Sequence, residues 1–583
     1  MRKGIGVSPG VVVGTAYCIN EIFVNPATRR LEAEEVMPEL AHYERARDAA
    51  AADLHSLHAK VASQVGPEEA AIFQAHEAIL RDPSFTKKIR SWIVDQHQSA
   101  PYALNQVLQE YTALFERTED AYIRERLTDV RDVILRISGH LSEVLHPEIE
   151  TLPEPLIVVA DELLPSHVVF LGDRKFVGIA TQAGGQTSHA ALLARSHGIP
   201  AVSGIRGLLK FVKTGDTIIV DGREGHVIIN PGPEIESAYR KLQREFFDLK
   251  DQLAATRDSP AITADGVRIE LLANVNNLAD AEAAEAMGAS GVGLYRTEYL
   301  FLTHPDVPDE LEQLAAYKKI VAASPNHRIT IRTLDLGGDK VIPYLGHARE
   351  ANPFMGWRSI RLSFEHPEFF ATQIRAILRA SFGRKNDVRL MFPMITTLEE
   401  IRKVRKMVSR AKQQLDRQKK RYGHVPVGLM VEVPAAAICI DSLMDEVDFI
   451  SIGSNDLVQY LMAADRDNPR VSHLCQPLSP AVLRILHHTI RACTAAGKPC
   501  TLCGEMASAP RAFLLLFGMG LRSFSLSPAF IPSIKDLTSH LTQARAESIL
   551  NRALKLKTTG DVSRYLGKEI AEIAPNLKLL DTA

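Results

Sequence analysis

Residues 427–456 read VGLMVEVPAAAICIDSLMDEVDFISIGSND, and this stretch decides the fold of the larger part of the chain. Two short apolar runs typical of strands, Val427–Val433 and Phe449–Gly453, flank a helical stretch. Polar residues lie where each run ends, Glu432 in the first and the pair Asn455-Asp456 after the second. A strand, a helix and a strand in this order predict parallel strands whose carboxyl ends hold functional side chains.

The same alternation continues from about residue 260 to about residue 540 and gives eight runs typical of strands. They are Ile269–Val275, Gly291–Leu294, Ile329–Thr333, Val388–Met394, Val427–Val433, Phe449–Gly453, Pro499–Cys503 and Arg522–Leu526. Eight strands over roughly 280 residues predict a (β/α)8 barrel. A last amphipathic segment, from Leu537 to about Ile573, is expected to cap the barrel or an interface.

The pattern upstream of the barrel differs. Apolar residues recur at three- and four-residue steps over 32–146 and predict a bundle of antiparallel helices. Residues 1–31 and 147–233 alternate β-rich runs with Gly-rich turns, which indicates one compact mixed α/β domain. A charged helical stretch, 234–259, is expected to link it to the barrel domain, 260–583. The predicted fold class is multidomain α/β: a mixed α/β domain with an inserted helical bundle, followed by a (β/α)8 barrel.

The composition excludes several functional classes. Hydrophobic residues make up 46% and charged residues 24% of the 583, as in ordinary globular proteins. The formal net charge of −2 gives no overall field for nucleic acid or an anionic membrane, so any anion site must be local. Six cysteines are too few for a disulfide scaffold, which favours the cytoplasm. No run is long and apolar enough for membrane insertion, and the turn at Ser8–Gly10 argues against a signal peptide.

A candidate nucleophile lies in the α/β domain. Gly184 and Gly185 allow close backbone approach, and Thr187 with Ser188 form a pair of residues that favours a helix N-terminus. His189 then falls in the first helical turn, where free N–H groups and the helix dipole favour an anion. A neutral imidazole there is able to act as a nucleophile, and the phosphohistidine formed would lie in a favourable field.

Polar residues follow the barrel strands one after another at their predicted carboxyl ends. They are Asn274 and Asn276, Arg296, Arg332, Glu432, Asn455 and Asp456, and Cys503, with Arg358 and Arg466 in loops on the same side. Several arginines at one mouth imply an anionic, phosphorylated ligand, because guanidinium groups match phosphate oxygens. Two carboxylates among phosphate oxygens need a counter-charge, which predicts a hard divalent ion such as Mg²⁺.

Cys500 and Cys503 form a lone Cys-x-x-Cys motif. Residues three apart on a strand face opposite sides, so this pair is not expected to share a zinc ion or a disulfide. Cys503, at the end of its strand, is better placed for proton transfer.

Together these motifs resemble Enzyme I, the phosphoenolpyruvate–protein phosphotransferase family of bacterial sugar uptake. The resemblance extends over essentially the whole chain. Its most specific motifs are GGQTSH at 184–189 and GLYRTE at 293–298, followed by NPFMGWR at 352–358, GSND at 453–456 and LCGE at 502–505.

The resemblance implies that His189 takes the phosphoryl group of phosphoenolpyruvate and passes it to the phosphocarrier protein HPr. The implied roles are phosphate binding for Arg296, Arg332 and Arg466, substrate binding for Asn455, Mg²⁺ binding for Glu432 and Asp456, protonation of the enolate for Cys503, and a place near the site for Arg358. It also implies HPr docking on the helical insertion, a homodimer formed through the barrel domain, and an α/β domain that swings near Asn230–Pro233.

The sequence departs from the family motif at one position, and two alternative functions remain open. Gln186 stands where many relatives have Arg, and activity is still expected because residues 187–189 are intact. A pyruvate phosphate dikinase or phosphoenolpyruvate synthase shares the histidine domain and the barrel. Such enzymes need an ATP-binding domain, whereas this chain has helices and no Gly-rich phosphate loop at that place. A regulatory phosphorelay without sugar transport is the second alternative.

Overall fold

The structure is a computed structural model that describes most of the chain. The described residues are 1–19, 30–64, 73, 76–116, 121–141, 152–161, 176–182, 194, 199–255, 257, 259–302, 307–337, 350, 352–383, 387–466, 468 and 471–580. Two compact units separate: Met1–Ala194 with Ile199–Gln243, and Arg195–Gly198 with Arg244–Ala583. None of the described helices is both long enough and apolar enough to cross a membrane.

The first unit contains an eight-stranded mixed sheet. Its strands are β1 (Arg2–Lys3), β2 (Ile5–Ser8), β3 (Val11–Cys18), β4 (Leu156–Ala160), β5 (Phe176–Thr181), β6 (Ala201–Ser203), β7 (Thr217–Asp221) and β8 (His226–Ile229). The spatial order is β1-β8-β7-β3-β4-β5-β6-β2. Strands β3 to β6 run parallel and the other pairs antiparallel.

The N-terminal strand β3 lies near the middle of this sheet, and both of its faces are buried. Val12 packs into one apolar cluster, while Val11 and Val13 pack into another on the opposite face. The run of β-branched residues fits such a strand, because branched side chains pack well on a pleated surface. Strand β3 pairs with both β4 and β7, so the start of the chain and the region after residue 147 form one sheet.

Four long helices of the first unit form the predicted bundle. They are α1 (Val36–Gln64), α2 (Pro83–Val94), α3 (Ala100–Glu116) and α4 (Ala121–Leu141). Their apolar faces meet in one core, in which Tyr43, Phe85 and Ile134 are fully buried. Asp82 caps α2 by accepting a hydrogen bond from the backbone N–H of Ser84.

Helix α5 (Pro233–Ala255) corresponds to the charged stretch predicted as a linker. It begins in the first unit and continues into the second, with the division after Gln243. The side chain of Gln243 accepts a hydrogen bond of 3.1 Å from the backbone of Val13. Leu249 and Leu253 belong to the core of the second unit.

The second unit contains a closed barrel of eight parallel strands. They are β9 (Glu270–Val275), β10 (Val292–Arg296), β11 (Arg328–Arg332), β12 (Asp387–Phe392), β13 (Val427–Val431), β14 (Phe449–Ile452), β15 (Cys500–Leu502) and β16 (Ser523–Leu526). Strand β16 pairs with β9 and closes the barrel. The predicted (β/α)8 barrel is confirmed, and each predicted run agrees with its strand to within about two residues at either end.

Helices connect the barrel strands and continue beyond them. They are α6 (Leu278–Ala286), α7 (Glu298–Leu302), α8 (Glu310–Ala323), α9 (Ile360–Glu365), α10 (Pro367–Ala380), α11 (Leu398–Arg417), α12 (Pro434–Ile438), α13 (Ile440–Leu443), α14 (Ser454–Met462), α15 (Pro480–Ala495), α16 (Pro510–Gly518), α17 (Ile531–Ser539), α18 (Gln543–Ala553) and α19 (Thr559–Ile573). Capping boxes start α8, at Asp309 and Glu312, and α11, at Thr397 and Glu400. The C-terminal helices α18 and α19 pack against α16.

A small cluster rich in sulfur fills the barrel interior. Its members are Leu294, Met391, Met430, Phe449 and Cys503. Cys500 instead packs against the main apolar core of the second unit, which includes residues of the surrounding helices. The two cysteines therefore lie on opposite faces of β15, as their spacing predicts.

A buried polar network lies behind β10 and β11. Gln373 of α10 accepts a hydrogen bond of 3.1 Å from the backbone of Leu334 and donates to the hydroxyls of Thr297 and Tyr317, at 3.2 Å each. Thr297 in turn donates to the backbone carbonyl of Arg332 at 2.9 Å. The network therefore fixes the backbone immediately after the two strands whose last residues are arginines.

We predict that Gln373→Leu lowers the free energy of unfolding of the barrel unit by about 2 kcal/mol, because it leaves buried polar groups without partners. Urea unfolding followed by circular dichroism measures this loss. Gln418→Leu is the matched control, since Gln418 is exposed at the end of α11. Equal losses in the two variants would contradict the structural role of the network.

Candidate active site

Residues singled out from the sequence lie at the carboxyl ends of the barrel strands. Arg296 ends β10, Arg332 ends β11, Glu432 follows β13, Asn455 and Asp456 lie in the first turn of α14 after β14, and Cys503 follows β15. Parallel strands in a closed barrel all end at the same rim, so these distant parts of the sequence meet there. We call this rim the mouth of the barrel.

The candidate nucleophile His189 lies outside the described residues. The same holds for Gly184, Gly185 and Gln186 and for the predicted helix from Ser188 to about His197, apart from Ala194. The expected place of His189 in a first helical turn therefore remains a prediction.

Arg332 is buried and held by two carboxylates. Its Nη2 donates to Glu298 Oε1 at 2.8 Å, and its Nη1 lies 3.2 Å from Asp335 Oδ2. Nη1 also contacts the sulfur of Met430 at 3.7 Å. Burial alone lowers the pKa of the Arg332 guanidinium, but Glu298 and Asp335 outweigh burial and raise it. Arg332 therefore stays charged.

Arg358 continues this pattern toward Asp456. Its Nη2 donates to both oxygens of Asp335 at 3.0 Å and to Asp456 Oδ2 at 3.2 Å, while its Nη1 donates to the hydroxyl of Tyr460 at 3.1 Å. Arg466 Nη1 lies 3.0 Å from the other oxygen of Asp456. Charges of opposite sign thus alternate across the mouth in what we call the ion chain, Glu298, Arg332, Asp335, Arg358, Asp456 and Arg466.

Arg296 differs from the arginines of the ion chain. Within the described part of the protein it makes neither an ion pair nor a hydrogen bond, and its side chain is only partly buried. Burial, together with the neighbouring charge of Arg332, lowers the pKa of its guanidinium. An anion bound at the mouth would offset both effects on the pKa, so Arg296 is well suited to bind an anionic ligand.

Several charged side chains of the mouth also have buried atoms without partners. Glu298 Oε2, Arg332 Nε and Arg358 Nε make no hydrogen bond to any described residue. Buried polar atoms in proteins are nearly always bonded to protein, water or a ligand. These atoms favour a polar ligand at the mouth.

Glu432 is buried, and its surroundings disfavour its charge. One carboxyl oxygen accepts a hydrogen bond of 2.6 Å from the backbone of Met394. Burial, followed by the charges of Asp456 and Asp335, raises the pKa of Glu432 to about 8. A Cβ at Gly453 would lie 2.7 Å from the second oxygen, so a larger residue there would displace the Glu432 carboxylate.

Glu432 and Asp456 are the two residues that could hold a divalent cation. Among the described residues, no group of three His, Cys, Asp or Glu side chains stands ready for a metal. Mg²⁺, however, is commonly held by one or two carboxylates together with waters and substrate phosphate. Two carboxylates after neighbouring strands of one rim are the donor chemistry that such an ion takes, so these residues fit it.

The asparagines of the mouth have different surroundings. Asn455 accepts a hydrogen bond of 2.9 Å from the backbone of Glu505. Asn274 donates to the backbone carbonyl of Cys503 at 3.0 Å and so connects β9 to the end of β15. Asn276 instead bonds to Asp280 at the start of α6, which gives it a structural role.

Cys503 is buried next to a hydroxyl. Ser451 donates a hydrogen bond of 3.3 Å to its sulfur, and the thiol lies 3.5 Å from the backbone carbonyl of Ile452. Burial raises the pKa of the Cys503 thiol, and the Ser451 hydroxyl opposes this only in part. At neutral pH the thiol therefore keeps the proton that an acid would need.

No role was predicted from the sequence for Glu298, Asp335 or Tyr460, although Glu298 is the last residue of the motif GLYRTE. Glu298 lies two residues after Arg296, and Asp335 lies three residues after Arg332. An acidic residue so close to an arginine at a strand end is a usable signal, because a buried arginine needs a counter-ion. Tyr460 has no comparable local signal.

Family models match three successive parts of the chain. Residues 3–126 match the N-terminal part of PEP-utilising enzymes, and residues 152–225 match their mobile domain. Residues 250–543, half of the chain, match their PEP-binding domain. The fold and these matches define the class: PEP-utilising enzymes.

Similar proteins extend over nearly the whole chain. Those named phosphoenolpyruvate-protein phosphotransferase from Bacillus sp. (strain S) and Haemophilus influenzae are 39% and 36% identical to it, with 97% and 99% of this chain and 97% and 100% of theirs aligned. The protein of that name from Staphylococcus carnosus is 38% identical over 96% of this chain and 97% of its own. The chain belongs to the phosphoenolpyruvate-protein phosphotransferase family.

We predict that the Cys503 thiol loses its proton at a higher pH than an ordinary cysteine thiol, because burial raises its pKa. The measurement is thiolate absorbance near 240 nm during a pH titration, taken as the difference between the unchanged protein and Cys503→Ala. A difference signal already present at pH 8 would contradict the burial argument.

Proposed function

We propose that the chain transfers the phosphoryl group of phosphoenolpyruvate to its own His189 and then to HPr, with release of pyruvate. The name of its relatives supports phosphoryl transfer from phosphoenolpyruvate to a protein. The proposed setting is the first step of the phosphotransferase system for sugar uptake, as in the family that the motifs resemble.

The observation on which this proposal mainly rests is the set of guanidinium groups at the mouth whose hydrogen-bonding capacity the described residues do not use up. Arg296 has no anionic partner among the described residues, and Arg332 and Arg358 have buried Nε atoms without hydrogen bonds. A small, highly charged anion such as phosphoenolpyruvate satisfies these groups, because guanidinium groups bind phosphate and carboxylate oxygens strongly.

The residues at the mouth have distinct proposed roles. Arg296, Arg332 and Arg466 hold the phosphate group, Asn455 binds the rest of the substrate, and Arg358 lies beside them. Glu432 and Asp456 hold Mg²⁺, which neutralises charge on the phosphoryl oxygens when it is bound. These residues favour transfer by fixing the substrate and opposing its charge, since phosphoryl transfer needs little covalent help.

The proposed reaction needs one nucleophile and one acid. A ring nitrogen of His189 forms a bond to phosphorus while the bond from phosphorus to the enol oxygen breaks, and the electron pair stays on the enolate. The Cys503 thiol then gives its proton to the carbon of the enolate, which yields pyruvate and a thiolate. The thiolate regains a proton from solvent, so the balance closes without a further reactant.

The proposal extends to partners and location. HPr docks on the helical bundle of the first unit, the chain forms a homodimer through its barrel unit, and the protein works in the cytoplasm. The six cysteines are all free thiols, which supports a reducing compartment.

We predict that phosphoenolpyruvate labelled in its phosphoryl group labels the protein in the presence of Mg²⁺, with a phosphate that is labile to acid and stable to base. His189→Ala should abolish the label, because it removes the nucleophile. His424→Ala is the matched control, since His424 is an exposed histidine in the barrel unit. The label should move to added HPr and should not form with a chelator.

Other outcomes of the same experiment would overturn the proposal. Label that depends on ATP rather than on phosphoenolpyruvate would indicate a dikinase or synthase. Label that persists in His189→Ala would place the nucleophile elsewhere.

We predict that Cys503→Ala slows pyruvate formation by about 10²-fold or more, because a positioned general acid contributes roughly that much. Binding of phosphoenolpyruvate, measured by calorimetry with Mg²⁺, should stay nearly unchanged. Cys500→Ala is the matched control, because Cys500 packs outside the barrel interior. Lost binding with an unchanged rate of pyruvate formation at saturating phosphoenolpyruvate would contradict the role of acid.

A further inference from the structure

Tyr460, at the end of α14, connects two parts of the mouth through a single hydroxyl group. This hydroxyl donates a hydrogen bond of 2.5 Å to the backbone carbonyl of Phe354 and accepts one of 3.1 Å from Arg358 Nη1. Helix α14 also contains Asn455 and Asp456 in its first turn. The phenol therefore connects α14, which contains the candidate substrate-binding residue Asn455 and the candidate metal ligand Asp456, to the segment that contains Arg358.

The segment that contains Arg358 has little regular structure of its own. It consists of a short 3-10 turn, Pro353–Met355, and it reaches α9 through Ser359, whose φ of 58° is unusual for a residue other than glycine. Within the segment, the Arg358 guanidinium lies 5.8 Å from the ring of Phe354. A segment of this kind depends on tertiary contacts for its position.

Arg358 is held from two sides. Its Nη2 is shared between Asp335 and Asp456, and its Nη1 bonds to Tyr460. Its Nε is buried and makes no hydrogen bond to any described residue. Because the two Nη atoms are held, the direction in which the Nε–H points is fixed, and Tyr460 is the partner that holds Nη1.

We propose that Tyr460 is a positioning residue of the active site: its hydroxyl fixes the guanidinium of Arg358 and the backbone at Phe354 relative to α14, so that Arg358 meets the anionic substrate in one orientation. This inference rests on the proposed function, because it assigns to the mouth an anion that Arg358 helps to bind.

The phenol suits this role better than other side chains. Burial raises the pKa of Tyr460 to about 12, which the charge of Arg358 only partly opposes. The hydroxyl thus stays protonated at physiological pH and acts as donor and acceptor at the same time. A phenylalanine at this position would fill the same space and lose both bonds.

The test is Tyr460→Phe, assayed for phosphorylation of the protein by phosphoenolpyruvate with Mg²⁺. We expect the KM for phosphoenolpyruvate to rise about tenfold with kcat changed less than about twofold, because a binding orientation is lost while the reacting groups remain. Calorimetry should show a matching loss of affinity. Tyr422→Phe is the control, since the Tyr422 hydroxyl bonds to Asp416 at 3.1 Å on the surface of the barrel unit.

A double-mutant cycle with Arg358→Lys separates positioning from a general loss of structure. If Tyr460 acts through Arg358, Tyr460→Phe should cost little more affinity once Arg358 has been replaced. If the losses of affinity for phosphoenolpyruvate in the two single variants multiply in the double variant, the proposal is overturned. An unchanged KM in Tyr460→Phe would also overturn it. A fall in melting temperature together with a fall in kcat, and no specific change in KM, would assign Tyr460 to structure alone.

The experiment distinguishes failure of the proposed function from failure of the inference about Tyr460. If the unchanged protein takes no label from phosphoenolpyruvate, the proposed function fails before Tyr460 is tested. If the unchanged protein takes label and Tyr460→Phe behaves as Tyr422→Phe does, only the inference about Tyr460 fails.

Discussion

The ion chain is the interaction on which the site depends. A buried guanidinium is costly unless a carboxylate accompanies it, and a buried carboxylate is equally costly alone. Arg332 and Arg358 share Asp335, and Arg358 and Arg466 share Asp456. The shared carboxylates keep arginines charged and close together at one mouth. The charges of the ion chain balance one another, whereas Arg296 makes no ion pair with any described residue.

Barrel closure makes this concentration of charge possible. Residues from β10, β11, β13, β14 and β15 contribute to one rim although more than 200 positions separate Arg296 from Cys503. The network centred on Gln373 then fixes the backbone just beyond two of these strands, where a small displacement would move both arginines. The barrel strands therefore position most of the charged groups. Hydrogen bonds hold the short segment that contains Arg358 beside these groups.

The sequence was sufficient for the barrel and for most candidates at its mouth, because strand and helix periodicity is local and polar residues at strand ends are visible in it. The two faces of β15, and hence the separation of Cys500 from Cys503, were also predictable from the strand period of two. Three features of the site could not be predicted from the sequence: the pairing of Asp335 with two arginines, the high pKa of Glu432 and the contacts of Tyr460. Each of them depends on distances between strands and loops that are remote in sequence. The place of His189 remains a prediction from the sequence.

The thioether of Met430, which touches Arg332, has a consequence for oxidative chemistry. Met430 is only 1% exposed and lies with Met391 and Cys503 in the barrel interior. Conversion of this thioether to a sulfoxide would introduce a polar oxygen beside the guanidinium. That oxygen would compete for the same N–H groups as a bound phosphate. Because Met430 is buried, its packing limits the access of oxidants to a sulfur that contacts Arg332.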